Sequence, residues 1–246
     1  MDNNDCLLDA CKKNNYDTVV HCIKKLKANI NYHKNDKSVL MYAVLQKNIK
    51  IVKFLCENGA DKEYQDPVKN TVLMYAIYTC PIIAIYLITN GANIHAVNKF
   101  NENSLFIAAV IGNLSLITFL HKKGADINIY NHNKVSPLVT VCGNGFYECA
   151  KYLMENGADV NITSKHNDNL LHGCIESNAY EIFKLLLMHK NLKIINEKND
   201  NNISPLLYSI IKNKPLYSEI LILCGADTKS WDIMIYENVF QKGYLY

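Results

Sequence analysis

Apolar residues recur along the chain in short runs with helical spacing, and most of these runs end at the same small tripeptide. The tripeptide is Gly-Ala-Asp or Gly-Ala-Asn, at Gly59-Ala60-Asp61, Gly91-Ala92-Asn93, Gly124-Ala125-Asp126, Gly157-Ala158-Asp159 and Gly225-Ala226-Asp227. The successive separations are 32, 33, 33 and 68 residues, and the last equals two intervals around one degenerate copy. A period near 33 residues predicts one small unit that is copied and stacked.

A second helix is predicted upstream of each apolar run. Its opening is Ser, Thr or Asn followed two residues later by Leu, which occurs at Ser38, Thr71, Asn103, Ser136, Asn169 and Ser204. These residue types are good N-caps, and the Pro that follows two of them suits a first helical turn. Counting back 33 residues from Ser38 gives a first opening at Asp5, so we expect seven units.

This combination of motifs resembles the ankyrin repeat, whose pattern is Thr-Pro-Leu-His-x-Ala, a second helix, Gly-Ala-Asp and a β-turn finger. The resemblance covers roughly residues 1 to 230 and implies an all-α ankyrin-repeat solenoid of helix-turn-helix units joined by β-turn fingers. We expect an ankyrin-repeat domain at 1–230, with about seven repeats starting near residues 1, 36, 69, 101, 134, 167 and 202.

Several positions depart from the family pattern. The glycine between the two helices of a repeat survives only as Gly112 and Gly145, and other residues stand at Asn14, Lys47, Cys80, Asn178 and Asn213. Asn tolerates the left-handed conformation that this joint needs, whereas the joints at Lys47 and Cys80 should be less ideal. The sixth copy replaces Gly-Ala-Asp with Asn191-Leu192-Lys193, and its finger is the hardest to place.

The C-terminal tail, residues 231–246, lies outside the repeat pattern and is rich in aromatic residues such as Trp231 and Phe240. A terminal repeat needs a cover for its last hydrophobic face. We therefore interpret the tail as a partial cap, with a short partner-binding peptide as the alternative.

Composition narrows the classes of partner. The net charge is +3, too mild to predict a nucleic-acid or membrane-surface partner, and all 26 basic residues are lysine, which removes arginine clamps for phosphate or carboxylate. The polar, acidic N-terminus does not resemble a secretory signal, and no apolar run approaches the length of a membrane span. We expect a cytoplasmic monomer. The abundant Asn, Lys, Ile and Tyr indicate an AT-rich genome, such as that of a virus or an intracellular parasite, in which case the location is the host cytoplasm.

Nine cysteines are present, and no two form a Cys-x-x-Cys pair. Most stand at apolar positions of the repeat, where a thiol packs as a small hydrophobe. The favoured interpretation is a set of reduced, buried thiols in a cytosolic protein, against the alternatives of disulfides or a metal site.

Residues for catalysis are not brought together by any motif. The eight histidines are scattered, with no zinc or phosphate-binding pattern, and Gly143-Asn144-Gly145 belongs to a helix joint. His172 stands where the ankyrin resemblance implies a structural hydrogen bond. We expect a protein that is not an enzyme and that uses neither cofactor nor metal.

One modification is suggested by the resemblance. Asp126-Ile127-Asn128 and Asp159-Val160-Asn161, each preceded by a leucine, are similar to the ankyrin-repeat target of asparaginyl hydroxylase. Hydroxylation at Asn128 or Asn161 is one interpretation; the stronger one is a structural asparagine at the base of the finger.

The ankyrin resemblance also indicates where a protein partner would bind, because these arrays use finger tips and exposed positions of each first helix on a concave face. In this register an apolar patch is formed by Leu45, Val68, Tyr78, Phe100, Val110, Ile111 and Val135. Exposed apolar patches mark interaction sites, and Tyr78 and Phe100 are the expected anchors. The alternative is a register shifted by one residue, which would bury these side chains between repeats.

The leading hypothesis is therefore a non-catalytic protein–protein interaction module that captures or blocks a partner on its concave face. A viral or parasite protein directed at a host component would suit the composition. The alternative is a targeting or regulatory subunit of an enzyme complex, for which the tail could supply a second contact.

Overall fold

Pairs of short helices, each joined by a tight turn, form the repeated element of the fold. The computed structural model describes residues 2–190 and 192–228, and in this part of the chain there are fourteen α-helices. They are α1 (Asn3–Lys12), α2 (Tyr16–Lys24), α3 (Val39–Leu45), α4 (Ile49–Glu57), α5 (Val72–Thr79), α6 (Pro81–Thr89), α7 (Ser104–Val110), α8 (Leu114–Lys122), α9 (Pro137–Gly143), α10 (Tyr147–Glu155), α11 (Leu170–Glu176), α12 (Tyr180–Leu187), α13 (Pro205–Ile211) and α14 (Pro215–Leu223). The odd-numbered helices are called inner helices below, and the even-numbered ones outer helices.

Each inner helix from α3 onward begins after the N-cap that the sequence predicts. The Ser38 hydroxyl accepts a hydrogen bond from the Met41 amide at 3.2 Å, and the Thr71 hydroxyl does the same for Met74. The other caps are Asn103, Ser136, Asn169 and Ser204. The predicted opening at Asp5 is wrong, because Asp2 caps α1 and Asp5 lies in its first turn.

The joint between the two helices of a repeat uses a left-handed residue in most repeats, as the sequence predicts. Gly112 and Gly145 adopt this conformation, and so does Lys47, with φ 58°. Cys80 does not: its φ is −155°, and it directly precedes Pro81, the first residue of α6. The third repeat thus lacks the residue that turns left-handed elsewhere, in keeping with its 32-residue spacing.

The fingers between repeats are held mainly by side chains. Only the first contains paired strands, β1 (His33–Lys34) and β2 (Lys37–Ser38), which are antiparallel. In the next finger, one oxygen of Asp66 accepts hydrogen bonds from the amides of Val68 and Asn70 at 3.0 and 2.8 Å. Asn98 holds the following finger in the same way. The predicted all-α repeat solenoid with turn-based fingers is confirmed.

The chain divides into two compact units, Met1–Ile129 and Tyr130–Tyr246. In the first unit the inner helices α1, α3, α5 and α7 pack side by side in chain order, and in the second α9, α11 and α13 do so. The leucine two residues after each cap from Ser38 onward is almost fully buried: Leu40, Leu73, Leu105, Leu138, Leu171 and Leu206. Burying this leucine between neighbouring repeats explains why the motif recurs.

A second regular feature ties neighbouring repeats together at the base of the fingers. The amide of Asp61 donates to Asn31 Oδ1 at 2.8 Å, and the amide of Asn93 donates to Glu63 Oε1 at 3.0 Å. In the second unit the Asp227 amide donates to Asn196 Oδ1 at 2.7 Å. The polar residue of the Gly-Ala-Asp/Asn motif is therefore anchored to the preceding repeat.

The predicted cap or tail, residues 231–246, lies outside the described residues, as does Asn191 of the degenerate sixth copy. Within the described part, no helix combines the length and the apolar character needed to cross a membrane.

Candidate protein-binding surface

The predicted partner-binding residues all lie at least partly on the surface. Tyr78 and Phe100 are 52% and 54% exposed, and Val68 and Ile111 are 38% and 36% exposed. Leu45 and Val110 are half-buried, and so is Val135, which belongs to the second unit. None of the seven is buried between repeats, although no observation tests whether they bind a partner.

Four of these residues lie on adjoining repeats of the first unit. The Lys99 amide donates to the Val68 carbonyl at 2.8 Å, which joins the two fingers that carry Val68 and Phe100. Helices α5 and α7, which end near Tyr78 and Ile111, pack against each other. We call the group Val68, Tyr78, Phe100 and Ile111 the inner apolar surface.

Tyr78 also faces the charge of a finger. Its hydroxyl pKa is raised, first by partial burial and then by the negative charge of Glu102. Because Glu102 follows Phe100 by two residues in the same finger, this influence brings the finger close to the end of α5. The inner apolar surface thus combines side chains from a helix and from the finger of the next repeat.

Lysines stand over tyrosine rings beside this surface, a feature that sequence reasoning missed. The Lys12 ammonium lies 4.7 Å from the ring centre of Tyr42, and that of Lys37 lies 5.8 Å from the ring centre of Tyr75. Both tyrosines stand four residues after an N-cap, and the Tyr75 hydroxyl donates to Asp66 at 2.8 Å. Such pairs place positive charge over aromatic faces next to the apolar side chains.

The predicted polar flanks are largely engaged in pairs. Lys13 forms an ion pair with Asp9 at 2.7 Å. In the second unit, Glu176 contacts Lys212 at 2.7 Å, and this lysine, together with the Tyr208 hydroxyl, holds the pKa of the Glu176 carboxyl below its usual range. These exposed pairs orient side chains more than they stabilise the fold.

A second apolar surface lies on the outer helix α6, and the sequence analysis did not identify it. Ile82 is 68% exposed and Ile85 is 40% exposed, on a helix that contains no charged residue. The equivalent positions of α4 are Lys50 and Lys53. Comparing these positions between repeats would have revealed the difference, since most other outer helices carry a polar residue there.

The chemistry of the remaining side chains is structural. The Asn169 amide donates to His172 Nδ1 at 3.3 Å, and His172 Nε2 lies 3.1 Å from the Ile203 carbonyl oxygen, so this ring closes a capping box as the resemblance implied. Burial lowers the pKa of His172. Across the described ranges, no cluster of three or more His, Cys, Asp or Glu side chains could hold a metal ion.

The cysteines are unpaired thiols of mixed exposure. Five are buried, namely Cys11, Cys22, Cys142, Cys149 and Cys174, while Cys224 is exposed. Burial raises the pKa of Cys11 to about 12, which makes it a poor nucleophile at neutral pH. Cys6 and Cys22 lie with their Sγ atoms 3.2 Å apart, as two thiols in hydrogen-bond contact.

The two predicted hydroxylation positions lie at finger bases. Asn161 Oδ1 accepts a hydrogen bond from the Lys193 amide at 2.9 Å, the same tie between repeats that Asn31 makes. Asn128 is half-buried, and its amide donates to Asp126 Oδ1 at 2.8 Å. These contacts fit the structural interpretation, and modification stays a prediction.

Comparison with known proteins agrees with this architecture. The sequence profile described as "Ankyrin repeats (3 copies)" matches residues 7–98 and 105–198. The chain therefore belongs to the ankyrin repeat family, whose repeats are protein–protein interaction modules and are generally non-catalytic. No curated protein matches the chain.

Proposed function

We propose that the protein captures or blocks a protein partner on the inner-helix face of its first unit. The observation that carries the proposal is the inner apolar surface, where Tyr78 and Phe100 are each about half exposed. Aromatic side chains of this kind dominate binding hot spots because they bury a large area with little loss of conformational freedom.

The setting of these residues supports binding without large rearrangement. The fingers and helices that carry them are tied by backbone and side-chain hydrogen bonds, including Lys99 to Val68 and Asn98 Nδ2 to Asn70 Oδ1 at 3.2 Å. A preorganised surface loses less entropy on association than a flexible one.

The proposal includes a cytoplasmic location and an origin in a virus or intracellular parasite that acts on a host component. The buried free thiols support a reducing compartment, and the AT-rich composition supports such a source.

Affinity capture from a cell lysate tests the proposal. The bait proteins are the wild type, the variant Tyr78→Ala/Phe100→Ala/Ile111→Ala, and the control Ile82→Ala/Ile85→Ala on the outer face of the same unit. We expect a partner that the wild type and the control retain and that the inner-face variant loses, with circular dichroism unchanged in all three. Equal retention by the inner-face variant would overturn the proposal.

A targeting or regulatory subunit with two contacts is the second candidate, and the exposed Ile82 and Ile85 favour it. In the same experiment it predicts two captured proteins. The inner-face variant would lose one, and the Ile82→Ala/Ile85→Ala variant would lose the other.

A further inference from the structure

An apolar recess of about 130 Å³ opens between the inner helices α9 and α11 of the second unit. Its apolar lining includes Val139, Cys142, Ile162 and Leu170, together with the two glycines Gly143 and Gly173. The recess lies wholly within the second unit and shares no residue with the inner apolar surface.

The two glycines are what leave this space open. Gly143 stands seven residues after its N-cap, where α5 has Tyr78 and α13 has Ile211. Gly173 stands four residues after its N-cap, where α5 has Tyr75 and α13 has Tyr208. Side chains of that size at both positions would occupy the recess.

Neither glycine is needed by the backbone. Neither has a left-handed φ, and a Cβ atom built on either would meet no other atom within 4 Å. Because glycine is a poorer helix former than alanine, these positions hold a less stable choice that keeps the surface open. Glycine also lets the backbone of a bound molecule approach closely.

The volume fits one side chain. Cavities of about 150 Å³ with aliphatic walls accept a benzene molecule, so a recess of similar size accepts one leucine, isoleucine or methionine side chain. A single side chain seated in an apolar pocket is the usual form of an anchor in protein recognition.

The rim adds a charge preference. Asp168 lines the recess, and one of its carboxylate oxygens accepts a hydrogen bond from Asn199 Nδ2 at 2.7 Å. Its other oxygen has no hydrogen-bond partner among the described residues. The nearby Lys165 is directed elsewhere, because its ammonium donates to Asn133 Oδ1 at 2.9 Å. The free acceptor favours a cation beside the buried side chain.

We propose that this glycine recess anchors a protein segment in which an aliphatic side chain stands next to a lysine or arginine. The site goes beyond the proposed function, since it lies in a different unit and would hold its own segment. Its failure and the failure of the inner apolar surface are therefore distinguishable.

Two-dimensional amide NMR of the full chain, titrated with N-acetyl-leucyl-lysinamide up to about 10 mM, tests the site. We expect saturable shifts concentrated at Gly143, Gly173 and their neighbours. N-acetyl-seryl-lysinamide should give none, and N-acetyl-leucyl-glutamamide, with its uncharged side chain, should bind several-fold more weakly. Shifts absent with the leucyl probe, or equal for leucyl and seryl probes, would overturn the proposal without any variant.

Variants locate the binding further. Gly173→Ala should weaken the leucyl probe and Gly173→Leu should abolish its binding, because each fills more of the recess. Lys151→Leu, which adds an exposed leucine on α10, is the matched control and should bind like the wild type. Asp168→Asn should remove the preference for lysine. Wild-type binding by a folded Gly173→Leu variant would contradict the assignment.

Discussion

The hydroxyl of Thr71 accepts a hydrogen bond from the Met74 amide and satisfies one of the donors that a helix N-terminus leaves free. The same contact opens the inner helices of neighbouring repeats. At the residue scale, these caps explain why Ser, Thr or Asn recurs before each inner helix. The residue type is set by local geometry, which makes it readable in the sequence.

Thr71→Ala should lower the free energy of unfolding by about 1 kcal/mol, because a buried cap loses its acceptor. Thr71→Ser keeps the oxygen and should cost only part of that amount. Urea denaturation measures both. Equal losses for Ala and Ser would show that the methyl group, and not the cap, carries the effect.

His172 makes stability depend on pH. Its folded pKa is lowered by burial from the usual value of about 6.5, so the unfolded chain binds the proton more readily. The stabilisation is present above pH of about 6.5 and is lost as pH falls through the lower folded pKa. His172→Gln keeps a capping-box acceptor but cannot titrate.

The urea midpoint, measured from pH 7.5 down to about 5, should fall less steeply for His172→Gln than for the wild type. His166→Gln, at an exposed finger tip, is the control and should follow the wild-type curve. Parallel curves for the wild type and His172→Gln would contradict this role for His172.

At the element scale, the joint between the helices of a repeat has two solutions. Lys47 turns left-handed with φ 58°, whereas the third repeat has one residue fewer and passes through the extended Cys80 into Pro81. Glycine suits the first joint but not the second, because only the first needs positive φ.

Lys47→Gly should therefore raise the free energy of unfolding by up to about 1 kcal/mol, because Lys47 is exposed and loses no packing. Cys80→Gly should lower the free energy of unfolding, since it adds backbone freedom to the unfolded chain without relieving strain. Thermal unfolding of the two variants measures the difference. The same sign for both would contradict this account of the joints.

The sequence predicts elements wherever a local rule decides them. The caps at Ser38 and Thr71 follow from residue type alone. The first opening fails because the repeat period was extrapolated to Asp5, although Asp2 also caps and lengthens α1. The exposed Ile82 was missed because α6 is apolar on all sides, so no polar face marks its solvent side. The contacts of Lys12 and Lys37 with tyrosine rings depend on neighbouring repeats and carry no local signature.

At the scale of the whole molecule, the first unit has apolar side chains on both its inner and its outer helices. The inner ones lie among fingers tied from repeat to repeat, whereas Ile82 and Ile85 stand on a single helix. A large, preorganised patch is the better binding site because more apolar area is buried at a lower entropic cost.

Amide hydrogen exchange of the protein, alone and bound to a captured partner, tests most directly whether the inner-helix face binds. The account predicts slower exchange on binding in α5, α7 and the fingers at 65–71 and 97–103, with exchange in α4 and α6 unchanged. Protection on α6, with unchanged exchange in α5 and α7, would contradict it.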